Sequence, residues 1–204
     1  ADETKVQIVN AYELATKSKL TIGDGYTLNA EDYWCIIHTS DSTRAVYCIE
    51  PGKHVLSGDM YNENAAAEYL KTVRNKTLSA DEIQAVLRRT FLYAYTGKLD
   101  TAESYLKYTA TQLLGWGVIV GQRDMDFKRV NNGYTSVEKE LSNFKDDYAA
   151  QKVSEYYYDY ESRIKNNSKS VSFAYSLKAT AKDEAVKAGA DGTYTFADKN
   201  GQLK

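Results

Sequence analysis

The chain has 204 residues, 43% of them hydrophobic, and a formal net charge of −2. That is enough apolar material for a core and excludes a disordered chain. Acidic and basic residues are interspersed, so there is no electrostatic case for nucleic acid or an anionic membrane, and no apolar run approaches the roughly 20 residues of a membrane span. The ends carry neither a signal peptide nor an anchor, so the sequence reads as a module of something longer. Eighteen tyrosines against one proline suit helix faces and, for a few, a contact surface. Two cysteines are too few for a disulfide scaffold.

In chain order, Val6 to Leu14 alternates with period two and predicts a strand. Lys19–Ile22 and Tyr26–Leu28 flank Gly23-Asp24-Gly25, a hairpin signal. Tyr33 to Thr39 and Ala45 to Ile49 predict two further strands. The second of these carries Cys48 and is stopped by Pro51-Gly52. One short helix is predicted within Asn64 to Arg74.

From Ser79 the period becomes helical. Ser79-x-x-Glu82 is a capping box, Ile83 to Ala94 carry the stripe, and Gly97 suits the stop. Asp100-x-x-Glu103 has the same form and opens a second helix through Gln112 and Leu113. That helix is expected to fray after Gly115, with Gly117–Gly121 as a short strand. Thr135-x-x-Glu138 opens a third, with one continuous stripe from Val137 to Ile164, ended by Asn166-Asn167. The β period returns at Val171 to Leu177 and Tyr194 to Ala197. Ala181 to Ala188 fits helix or loop.

The order β, then α, then β predicts an α+β fold: an antiparallel sandwich or barrel with a helical subdomain inserted after Cys48. One domain would span 1–204, with 1–52 and 168–204 mainly β and 62–167 mainly α. Cys48 would then sit on the sheet side of a junction and Gln112 on a helix, where clefts form. Tyr108, Gln112 and Trp116 lie at i, i+4 and i+8, on one face if the helix persists. Taken alone, a buried Gln on that face reads as one bonded to backbone; a thiol facing it opens a second option, attack on the amide carbon, loss of ammonia and an internal thioester. Proximity is worth roughly 7–11 kcal/mol of such a barrier.

Tyr47-Cys48-Ile49 and Thr111-Gln112-x-x-x-Trp116 resemble the paired motifs of the thioester domains at the tips of Gram-positive surface adhesins and pili. The Leu78-Ser79-x-x-Glu82 entry, the inserted helices and the β return extend the resemblance over most of the chain. Gly115 departs from it, since the family usually has an aliphatic residue before the Trp. Cys35 is an extra cysteine, and Trp34-Cys35-Ile36 matches the motif less closely than Tyr47-Cys48-Ile49 does.

The resemblance implies a Cys48–Gln112 cross-link that captures, once per molecule, an amine on a host surface or extracellular-matrix protein. The chain would therefore not be a turnover enzyme. It also implies an extracellular, cell-wall-anchored or pilus-tip setting beside other domains of the parent adhesin, and no cofactor. Tyr47 and Trp116 would shield the bond, and Thr111 would orient Gln112.

Other readings of the same residues remain. A non-covalent adhesion module of the same fold is the runner-up. Cys35, His38, Cys48 and His54 have a spacing that zinc can use, and Cys35 with Cys48 fits a cross-strand disulfide. The expectation is no metal, because strand alternation already explains the first three. Cys48 with His54 or His38 would make a cysteine hydrolase, but the local signatures of such enzymes are missing. Gly115-x-Gly117-x-x-x-Gly121 follows a helix, whereas a nucleotide loop needs strand then helix.

Overall fold

In the computed structural model, the described residues are 3–13, 19–29, 33–39, 45–53, 55–62 and 66–167. The expected C-terminal strands, the 181–188 segment and His54 lie outside them, as do the side chains of Cys35 and His38. Residues 1–166 form one compact unit.

The alternating N-terminal sequence makes strand β1 (Glu3–Glu13). It pairs antiparallel with β4 (Tyr33–Thr39), with Asn10 opposite Cys35 and Val6 opposite Thr39. Its start pairs with the short β5 (Met60–Asn62), giving the sheet order β4-β1-β5. Strands β2 (Lys19–Gly23) and β3 (Tyr26–Asn29) form a separate hairpin, turned by Asp24-Gly25 with Gly25 at φ 79°. The hairpin sends Leu20, Ile22, Tyr26 and Leu28 into the core.

Four α-helices follow among the described residues. Helix α1 (Ala66–Leu70) is a single turn. Helix α2 (Ala80–Tyr93) starts at the expected capping box: Ser79 accepts from the Glu82 amide and the Glu82 side chain accepts from the Ser79 amide. It ends at Ala94, before Gly97, because the next amide, Tyr95 N–H, turns to the Thr111 hydroxyl at 3.1 Å. Helix α3 (Ala102–Ile119) opens one residue later than expected, on a Thr101–Ser104 box. It does not fray at Gly115. Every residue from Tyr108 to Ile119 is buried, and at Gly115 the missing Cβ leaves room for the Phe91 ring. A helix apolar around its whole circumference belongs in the centre of a fold. No helix among the described residues is long and apolar enough to cross a membrane.

The long third stripe is broken in two. Val137–Ser142 is a 3₁₀ turn capped by Ser136, and helix α4 (Asp147–Asn166) begins after it. Gln122 takes the Val137 amide at 3.0 Å, and Asp146 caps the Ala149 amide at 2.9 Å, so both sides of the break are satisfied by side chains. Ala149, Val153, Tyr157, Tyr160 and Ile164 then seat α4 in the core.

The 3₁₀ turn buries a carboxyl. Glu140 is 1% exposed. Its Oε1 accepts from Asn143 Nδ2 at 3.3 Å, and its Oε2 has no partner among the described residues. Burial raises the group to about 7, only partly offset by Asn143. The folded pKa lies above the unfolded one, so the stability this group contributes is full below about 4.5 and is lost as pH rises to about 7. In Glu140→Gln that dependence disappears, and the variant exceeds the wild type by up to about 3 kcal/mol at pH 8. Urea unfolding at pH 5 and pH 8 measures it; equal wild-type and variant slopes with pH would contradict it.

Candidate functional site

The residues around Cys48 are not the predicted strand. Apart from a bridge at Ala45, residues 46–50 are irregular. Their main-chain groups are taken up by side chains from the helices. Tyr108 donates its hydroxyl to Val46 O at 2.6 Å. Cys48 N–H donates to Gln112 Oε1 at 2.7 Å, and Gln112 Nε2 donates to Cys48 O at 2.8 Å. Trp116 Nε1 donates to that same oxygen at 2.9 Å, and Tyr69 donates to Ile49 O at 3.3 Å. Backbone polar groups in a half-buried segment must find partners. Here the i, i+4, i+8 face of α3 supplies them in place of a neighbouring strand.

The segment then turns sharply. Lys53 N–H donates to Glu50 O at 3.1 Å, with Pro51 and Gly52 in between and Gly52 at φ 85°. That is the residue order a type II turn favours. A Cβ on Gly52 would stand 2.0 Å from Thr27 O, so the turn lies directly on the β3 backbone. Sequence and packing together pin Cys48 between the hairpin and α3.

Tyr47 is stacked between Phe91 and Tyr108, each ring centroid 4.7 Å away. Its hydroxyl donates to Tyr95 O at 3.2 Å. Burial raises it far above the ordinary phenol range, only partly offset by the nearby Thr111 hydroxyl, so it stays a proton donor. The Thr111 hydroxyl is engaged by groups other than Gln112. It accepts from Tyr95 N–H and donates to Lys107 O at 2.9 Å, so it fixes the link between α2 and α3. Tyr108 and Trp116 share with Gln112 the task of holding the 46–48 segment.

Gly115 also acquires a reason. A Cβ there would meet the Phe91 ring at 3.2 and 3.3 Å. Phe91 occupies the room an aliphatic side chain would need, and through it the Tyr47 stack is set. Gly115→Leu is expected to push Phe91 off Tyr47 and cost about 1–3 kcal/mol, the usual penalty of overpacking. Thermal unfolding measures it; an unchanged midpoint would place Phe91 elsewhere in solution.

The Cys48 thiol donates to Glu50 O at 3.3 Å and is free. Burial raises its pKa, against smaller lowering from the Glu50 carbonyl and Trp116. It is therefore a protonated, weakly nucleophilic thiol at neutral pH, beside an amide whose oxygen and nitrogen both rest on its own main chain. No group of three or more His, Cys, Asp or Glu suited to a metal occurs among the described residues.

Sequence reasoning placed Cys48, Gln112, Tyr47 and Trp116, and these come together. It did not single out Phe91, Tyr69 or Tyr95. Tyr108 was visible in the i, i+4, i+8 face; Phe91 has no signal beyond its place in the α2 stripe. No family model matches the chain, and neither a curated protein nor a solved structure does.

Proposed function

We propose that the chain is the thioester domain of a Gram-positive surface adhesin, joining Cys48 to Gln112 and then capturing one amine. One observation carries the reading: the Gln112 carboxamide is held at both ends by the main chain of the residue that bears the thiol. In bond formation Cys48 Sγ loses its proton and bonds to the Gln112 amide carbon. The carbon–nitrogen bond breaks, and nitrogen leaves with the proton as ammonia. Negative charge develops on Oε1, where Cys48 N–H already donates. In capture, a lysine amine bonds to that carbon, the carbon–sulfur bond breaks and sulfur takes the proton. A thiol whose pKa is raised by burial is a poor leaving group, which keeps the bond until an amine is presented.

In this reading the partner is a host surface or matrix protein offering a lysine, and the setting is extracellular, beside further domains of the parent protein. The helices between Ala66 and Asn166 are, in this reading, the inserted helical part of an α+β domain. No cofactor is required, and each molecule reacts once.

Intact mass under mild denaturation, with and without methylamine, tests it. A mass short of the sequence by one ammonia, replaced by a methylamine adduct at Gln112, is expected. A mass equal to the sequence with a free Cys48 thiol would reject an intact bond. That result would favour the second reading, a non-covalent adhesion module, for which one observation speaks: both polar atoms of Gln112 are satisfied as in any buried glutamine.

A further inference from the structure

A groove far along the sequence from Cys48 has the makings of a second site. The segment 120–138 closes α3 with a loop fixed by buried side chains. Gln122 bonds Ile22 O, Thr135 O and the Val137 amide. Asn132 bonds Val120 O at 2.7 Å and Ile22 O at 3.2 Å. Arg123, 2% exposed, bonds Phe127 O, Tyr157, Glu138 and Glu161. Two concave sites flank this loop, of about 470 Å³ and about 260 Å³. Asn132 and Tyr134 line both, so the two meet across Tyr134. The larger falls within the roughly 300–1,000 Å³ of small-molecule sites.

The walls are polar and already charge-balanced. Arg123 and Arg129 of the larger site pair with Glu138 of its wall and with Glu161 outside its lining, and Arg74 pairs with Asp24 in the smaller. An anion would have to compete with those carboxylates. What is left over is hydrogen-bonding capacity on two mutually compensated charged groups and two neutral ones. Glu138 Oε2, Arg129 Nη1, Asn131 Nδ2 and the Tyr134 hydroxyl take no partner among the described residues. Tyr134 is 38% exposed at the centre. Planar carboxylate, guanidinium and amide edges match vicinal hydroxyls, each both donor and acceptor, and a ring face suits the C–H side of a pyranose.

We propose that this groove binds a neutral oligosaccharide lying across Tyr134. The floor is already hydrogen-bonded by Gln122 and Asn132, so little ordering opposes the ligand. The site is independent of the thioester reading and goes beyond it.

The test uses the full chain on a printed array of neutral, sialylated and sulfated oligosaccharides. The neutral glycan that binds is then titrated by amide NMR to about 10 mM, enough to fill most of a millimolar site. Expected shifts fall in residues 129–138 and 74–76. Tyr134→Ala weakens binding about tenfold with unchanged thermal unfolding, and Asn131→Ala, which also loses its bond to the Gly133 amide, weakens it several-fold while still folded by its amide spectrum. Cys48→Ala binds as the wild type does, which separates this result from any failure of the covalent mechanism. No neutral glycan bound, binding confined to sulfated or sialylated glycans, or undiminished binding by Tyr134→Ala and Asn131→Ala would each overturn the proposal.

Discussion

Cys48→Ala takes up no methylamine, and its intact mass equals its sequence. Gln112→Ala gives the same two results, yet the variants differ in stability. Cys48→Ala removes one thiol that donates a single bond, to Glu50 O. Gln112→Ala removes both amide bonds to Cys48 and leaves the Cys48 N–H with no acceptor in a half-buried place. An unsatisfied group of that kind costs about 1–3 kcal/mol. Gln112→Ala is therefore expected to unfold at distinctly lower temperature, while Cys48→Ala stays near the reduced, unreacted wild type. Uptake of methylamine by Cys48→Ala would end the covalent mechanism. Equal unfolding temperatures for the two variants would end the argument that Gln112 holds the segment.

Arg123→Met is expected to be the most damaging single change in the helical part. The guanidinium lies 2.5 Å from Glu161 and 3.3 Å from Glu138, with both carboxylates largely buried. Removing one partner of a buried pair costs about 3–5 kcal/mol, because the other charge is left behind. Arg129 still reaches both acids, at 2.9 and 3.2 Å, so the lower half of that range is expected. Arg123→Met with Glu161→Leu recovers most of the loss. The pH dependence carries the same signature. Burial alone would raise the Glu161 carboxyl, but Arg123 first, then Arg129 and Lys165, hold it below the ordinary range. Its contribution is present above the unfolded carboxylate pKa and is lost as pH falls through the depressed folded value. Chemical unfolding of wild type and Arg123→Met at neutral pH and in acid measures both. A gap that does not narrow in acid would assign the loss to packing alone.

The helices were legible because their signals are local. Ser79 and Glu82 close their box within one turn, and the α4 stripe repeats from Ala149 to Ile164. The boundaries that failed were set from a distance. Tyr95 leaves α2 for a hydroxyl sixteen residues on, and Gln122 intercepts the Val137 amide fifteen residues away. Gly115 and Gly117 read as breakers, since propensity counts against glycine in a helix. The place of Gly115 is decided by the Phe91 ring, which would stand 3.2 Å from a Cβ there. The apolar run at Cys48 satisfied every rule for a strand except the need for a neighbour to pair with. Composition cannot say that a tyrosine, a glutamine and a tryptophan of one helix will take that neighbour's part.

Those side-chain anchors also set an order of events as the chain folds. Cys48 and Gln112 are 64 residues apart in sequence. The turns of α3 close locally and fast, whereas joining Cys48 to Gln112 requires a long loop whose closure is slow and comes late. The 46–48 segment has no ladder of its own to form beforehand. During synthesis the thiol therefore stays unsheltered until α3 is complete, and it meets the amide only when the whole unit is in place. Any reaction between them is self-timed: a truncated or misfolded chain carries the same two residues and no means of joining them.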